Sequence, residues 1–150
     1  MEADVPETEA LSPEQYAALA DFRFRLRRFL AFSEAAAARA GLPPQQHQAL
    51  LTLAGHAGRT PATVGLLAEQ LLIAPHSAAE LVARMVEGGL LIKARSAEDR
   101  RRSELSLTPR AEALLKGLTA AHLDELRGLA PALAEVLSPR GASLKRPADG

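Results

Sequence analysis

Cysteine is absent from the 150-residue sequence. Its absence excludes disulfides, thiolate metal sites and a cysteine redox switch, and it suits a cytoplasmic protein. Aromatic residues are almost as scarce, at 3% of the chain with no Trp. The 47% that is hydrophobic must therefore build its core from Ala and Leu, which favours helices, because strands prefer β-branched and aromatic side chains. No apolar run reaches the roughly 18 residues that a membrane span needs, and the acidic start is the opposite of a signal peptide's basic one. Enzyme signatures are missing too: no Gly-rich phosphate loop follows a strand, no nucleophile motif appears, and the acids do not pair in one pocket. The expectation is one soluble domain without catalytic activity or cofactor. His47, His56, His76 and His122 never stand four apart on one helix, so no metal site is expected either.

The formal net charge is zero, but it is unevenly distributed. Residues 1–14 carry five acids and no base, whereas residues 15–41 carry five arginines against two acids. Residues 90–110 carry six bases against three acids, three of them the consecutive Arg100, Arg101 and Arg102. Two basic zones in a neutral chain are compatible with nucleic acid if the fold aims them outward.

Residues 1–11 lack a helical apolar stripe and are expected to be flexible. At Ser12 a helix start appears, with Pro13 in the first helical position and Gln15 at capping-box spacing. "FRFRLRRF" alternates like a strand, yet Leu19, Phe22, Leu26, Phe29 and Leu30 recur at helical steps. The spacing predicts a helix of about 28 residues, ended by Gly41 and two prolines, whose apolar stripe one small core cannot cover. A second helix is expected from Gln45 to His56, offering Leu50, Leu51 and Leu53 to the core. Thr63 then caps a short helix with Leu67, Ala68 and Leu71 on one face, and Leu72–Ala74 form a tight turn. Pro75 opens a further helix with Ala78, Leu81, Val82, Met85 and Val86 as its buried stripe, closed by Gly88 and Gly89. Two short helices so joined make a helix-turn-helix pattern. "LLIKAR" (Leu90–Arg95) and "SELSL" (Ser103–Leu107) alternate as two strands, and Ser96–Arg102 form a projecting loop. Thr108 and Pro109 start another helix, which Gly128 and Pro131 divide, and residues 138–150 have no stripe and are expected to be disordered.

This order, and above all the stretch from Leu90 to Pro109 with Asp99-Arg100-Arg101 in the loop and "LSLTP" after it, resembles the MarR-type family of bacterial winged-helix transcription regulators. The resemblance covers about residues 12–137. It implies a mainly α fold with a small β-hairpin wing, and a homodimer built from helices at 12–40 and 109–137. It implies a DNA-binding lobe at 45–107 acting on a pseudo-palindromic operator. In the wing, Asp99 would brace the loop by pairing with an arginine, and Arg101 would enter the minor groove, with Arg95, Arg100 and Arg102 beside it. A narrow minor groove has an enhanced negative potential that suits a guanidinium. The helix starting at Pro75 would present His76, Ser77, Ala79 and Glu80 to bases and Arg84 to phosphate. A start at Ser77, with Glu80 closing a capping box, is the alternative. Thr63, at a helix N-terminus, would contact phosphate. Leu72 departs from the pattern, since glycine is common at that turn position, and leucine there implies a different turn.

Family members often bind small aromatic or phenolic acids, and Tyr16, Arg23, Arg27 and His47 are the candidates for such a cleft. The expected function is a sequence-specific DNA-binding regulator, a repressor, released by a small-molecule ligand. The competing reading is a winged-helix module that binds an acidic protein partner and lacks specific DNA binding.

Overall fold

The computed structural model describes residues 11–138. The expected flexible and disordered ends, 1–11 and 138–150, lie outside those residues except for Leu11 and Ser138. Six helices and one hairpin follow in the order α1 (Pro13–Arg39), α2 (Pro44–His56), α3 (Val64–Leu71), α4 (Pro75–Glu87), β1 (Leu91–Arg95), β2 (Ser103–Leu107), α5 (Pro109–Arg127) and α6 (Ala130–Val136). The mainly α fold with a two-stranded wing is as the sequence implied. No described helix is long and apolar enough to cross a membrane.

Local capping chemistry fixes the element starts. Before α1, the Ser12 amide donates to Gln15 Oε1 at 2.8 Å and the Gln15 amide to Ser12 Oγ at 3.2 Å, closing the capping box. Thr63 Oγ1 accepts the Leu66 amide at 3.2 Å at the head of α3, and Thr108 Oγ1 accepts the Ala111 amide at 3.2 Å at the head of α5.

Two compact units result. One is Phe32–His122; the other comprises residues up to Ala31 and from Leu123 onward. Within Phe32–His122, Leu50 of α2, Leu67 of α3, and Val82 and Met85 of α4 are the largest fully buried side chains, each below 2% exposed. Leu90, Leu91, Leu105, Leu115 and Leu118 extend this core to the hairpin and α5. Burial of a leucine-sized side chain stabilises by about 1.5–3 kcal/mol, so this short list outweighs the surface ion pairs of the chain. Leu51 and Val86 were expected inside but are 43% and 37% exposed. Each follows a fully buried neighbour in a helix, where one residue turns the side chain by about 100°, and that carries it out of the core face. The hairpin is antiparallel with Leu91 opposite Leu107 and Arg95 opposite Ser103. The Leu105 amide also donates to the Ala62 carbonyl at 2.8 Å, which ties the approach to α3 against β2.

The other unit has little core of its own. Ala132 is its one buried apolar residue among those described, while Leu19, Leu30, Leu123, Leu126, Leu133 and Leu137 are all at least 40% exposed. Of the apolar stripe expected of α1, Leu19, Leu26 and Leu30 are exposed and Phe22 and Phe29 half-buried.

Candidate nucleic-acid interface

The turn between α3 and α4 turns on one backbone conformation. Leu72 sits at φ 56°, ψ 43°, the left-handed region, and is 92% exposed. It is the single non-glycine residue with positive φ among those described. The Ile73 amide donates to the Ala68 carbonyl at 3.0 Å, so α3 ends in the wrapped manner glycine usually permits. The expected change of turn is thus absent. Leucine adopts the glycine conformation and bears its cost, about 1 kcal/mol.

α4 begins at Pro75, with Ala74 before it and no side-chain cap. No bond joins Ser77 to Glu80, so the alternative start at Ser77 is not taken up. Ala78, Leu81, Val82 and Met85 face inward. His76, Ala79, Glu80 and Arg84 are exposed, and Ser77 is half-buried. Arg84 and Glu80 stand 3.9 Å apart with both side chains 68% exposed, a pairing too loose to hold either away from a ligand. With no cap side chain, the first-turn amides of α4 remain open to an incoming acceptor. Thr63 caps α3 by accepting a bond, which leaves its hydroxyl proton available for a phosphate oxygen.

The wing tip is built from both ends. Buried Ser96 receives the Glu98 and Asp99 amides on its Oγ at 3.2 and 3.3 Å. Its own amide donates to the Arg102 carbonyl at 2.9 Å, and the Arg102 amide donates to the Asp99 carbonyl at 3.0 Å. Asp99 Oδ1 accepts the Arg101 amide at 2.9 Å. No arginine side chain pairs with Asp99 among the described residues, which corrects the expected ion pair. A carboxylate two residues upstream reaches the backbone N–H more readily than a flexible guanidinium, the usual Asx-turn arrangement. Arg95, at the end of β1, and Arg100, Arg101 and Arg102, on a loop whose backbone is pinned, are exposed and have no ion pair among the described residues. Sequence reasoning missed Ser96; its place immediately after a strand and three residues before an Asx turn was the available signal.

The proposed ligand residues are divided between the two units. Tyr16, Arg23 and Arg27 are exposed on α1 in the unit that ends at Ala31. His47 is only 6% exposed in the other unit, with its ring 4.9 Å from that of His122. The first turns of α2 direct it inward. Burial first, and the neighbouring His122 second, hold His47 below the ordinary value of 6.5. His122 is anchored: its Nδ1 donates to the Leu118 carbonyl at 2.6 Å, and its Nε2 lies 2.7 Å from Ser33 Oγ. Because a carbonyl only accepts, Nδ1 of His122 carries a proton.

A helix-turn-helix followed by a two-stranded wing with an arginine tip defines a winged helix-turn-helix protein. Residues 40–102, which span α2 to the wing tip, match the MarR family, and the chain has the fold of MarR-family transcription regulators. MepR of S. aureus, solved as a complex with DNA, shares 19% identity at a TM-score of 0.63, covering 77% of this chain and 82% of that one. AbsC, a MarR family transcriptional regulator from Streptomyces coelicolor, shares 18% at a TM-score of 0.64 over 88% and 86% of the two chains. A further MarR family transcription regulator of known structure shares 27% at a TM-score of 0.62 over 82% and 77%. Comparison with curated proteins gives no match.

Proposed function

We propose that this chain is a sequence-specific, DNA-binding transcription regulator, a repressor rather than an enzyme, acting as a cytoplasmic homodimer on a pseudo-palindromic site. One observation carries the reading: a wing tip whose backbone is pinned by Ser96 and Asp99 holds three exposed arginines, without ion pairs among the described residues, in the same unit as α4 with its uncapped start and exposed outer face. Fixing the loop before binding reduces the ordering entropy that three free arginines would otherwise lose. In this reading α4 enters the major groove with His76, Ser77, Ala79 and Glu80 toward the bases. Arg84 and Thr63 take phosphates, and Arg101 enters the adjacent minor groove.

The exposed leucines of α1, α5 and α6 support the dimer, because apolar side chains left in water are where a second copy gains most. We take residues 12–137 as one functional domain, with 12–40 and 109–137 supplying the dimer contacts. For a small-acid effector, Tyr16, Arg23 and Arg27 remain as candidates, with arginine suited to a carboxylate.

Selection of bound duplexes from a random pool tests the reading. Enrichment of a two-fold symmetric sequence, bound about a thousandfold more tightly than random DNA at fixed salt, is the expected result. Weak, unselective, salt-labile binding would instead indicate a protein-interaction module.

A further inference from the structure

Within the unit Phe32–His122, the end of α4 is fastened to the start of α5 by two side chains. α4 ends at Gly88 and Gly89, the latter at φ 74°. The amides there complete the helix: Gly88 donates to Arg84, Gly89 to Val86, and Leu90 to Met85, at 2.9, 3.1 and 2.9 Å. The three carbonyls of the same residues then point away from the helix, and all three find donors on one turn of chain. Arg110 Nη1 donates to the Gly88 carbonyl at 2.8 Å, Thr108 Oγ1 to that of Gly89 at 2.7 Å, and the Thr108 amide to that of Leu90 at 3.1 Å. Thr108 Oγ1 is used twice, since it also accepts the Ala111 amide that starts α5.

Arg110 is placed oddly for a surface arginine. It stands in the first turn of α5, where the helix dipole disfavours a cation, and it has no carboxylate partner among the described residues. Its guanidinium is directed instead at the C-terminal end of α4, where the dipole favours positive charge. From this clasp α5 runs on through the buried Leu115 and Leu118 to His122. The α5 turn is thus a fixed fulcrum for the helix that carries His76 to Arg84.

We propose that Arg110 and Thr108 are positioning residues that set the pose of α4 for base reading, without themselves touching DNA. The proposal rests on the DNA-binding reading. A few degrees at the end of a 13-residue helix move its first turn by an ångström or more, enough to misalign hydrogen bonds to base edges while phosphate contacts adapt.

The full-length chain and its Arg110→Ala variant would be titrated at several salt concentrations with the selected duplex and with a random duplex of equal length. Arg110→Ala should bind the selected duplex about tenfold more weakly, with random-duplex affinity and salt slope unchanged. An equal loss on both duplexes, with a slope shallower by about one ion, would make Arg110 a phosphate contact and overturn the proposal. Unchanged affinity for both would overturn it too. Thr108→Val should share the loss and Thr108→Ser should restore it.

If the wild-type chain shows no preferred duplex, the DNA-binding reading fails separately. Hydrogen exchange of the free protein then decides the clasp. Faster exchange of the Gly88, Gly89 and Leu90 amides in Arg110→Ala supports it, and unchanged exchange at these positions refutes it.

Discussion

A carboxylate that binds a backbone amide responds differently to amidation from one that binds a guanidinium. Asp99 holds the Arg101 N–H through Oδ1, a bond that an asparagine oxygen can also accept. Asp99→Asn should therefore keep DNA affinity at or above the wild-type level, because the acceptor remains and a negative charge near phosphate is gone. Asp99→Ala should lose about three- to tenfold as the tip loses its fixed shape, consistent with the net worth of one ordinary hydrogen bond. Equal loss in both variants would show that the charge of Asp99 matters, and an ion pair would return as the explanation. Binding isotherms for the two variants on one duplex decide it.

At the scale of elements, two features invite measurement. Leu72 buries almost nothing and bears a left-handed backbone, so Leu72→Gly removes strain without opening a cavity. Glycine also gains freedom in the unfolded chain, which offsets about half or more of the gain, and the net expectation is a stabilisation of up to about 0.5 kcal/mol. It should appear as a higher urea midpoint at constant slope; a lower midpoint would contradict it. His47 gives a pH dependence of definite sign. Its folded value lies below the ordinary 6.5, so below that pH the unfolded chain binds more protons and stability falls. Between about pH 7 and pH 5 the urea midpoint should drop, and His47→Gln should flatten that drop. A midpoint that rises on acidification would reverse the sign and refute the buried neutral state.

The elements themselves were largely legible from the sequence because their determinants are local. Ser12 with Gln15, Thr63 with Leu66 and Thr108 with Ala111 each act within three residues, and Pro75 and Pro109 preset the first turns they occupy. The unread parts depend on contacts across the chain. The carbonyl that Arg110 binds lies 22 residues away, and the serine bonded to His122 lies 89 residues away. Periodicity carries no information about either. Leu72 failed for another reason: a propensity argument says what a position prefers, and here the flanking helices impose the conformation against it.

For the whole molecule, the neutral net charge conceals a division between two units. Phe32–His122 holds the core, α4 and the wing; the unit at the two ends of the described chain holds exposed leucines and almost no core. In the proposed homodimer a second copy would cover those leucines, and doubling the lobes would double every DNA contact. In such a dimer the two α4 helices enter successive major grooves only if half-site centres lie about 34–36 Å apart or at a multiple.

Arg101 at the pinned wing tip is the most direct handle on this account, since its guanidinium is exposed and has no ion-pair partner among the described residues. The measurement is the affinity of Arg101→Ala against the wild-type chain for the selected duplex, alongside their melting temperatures. We expect about a hundredfold loss for a dimer that presents the residue twice, with melting unchanged. Undiminished affinity in a fully folded variant would contradict the wing's role in recognising DNA.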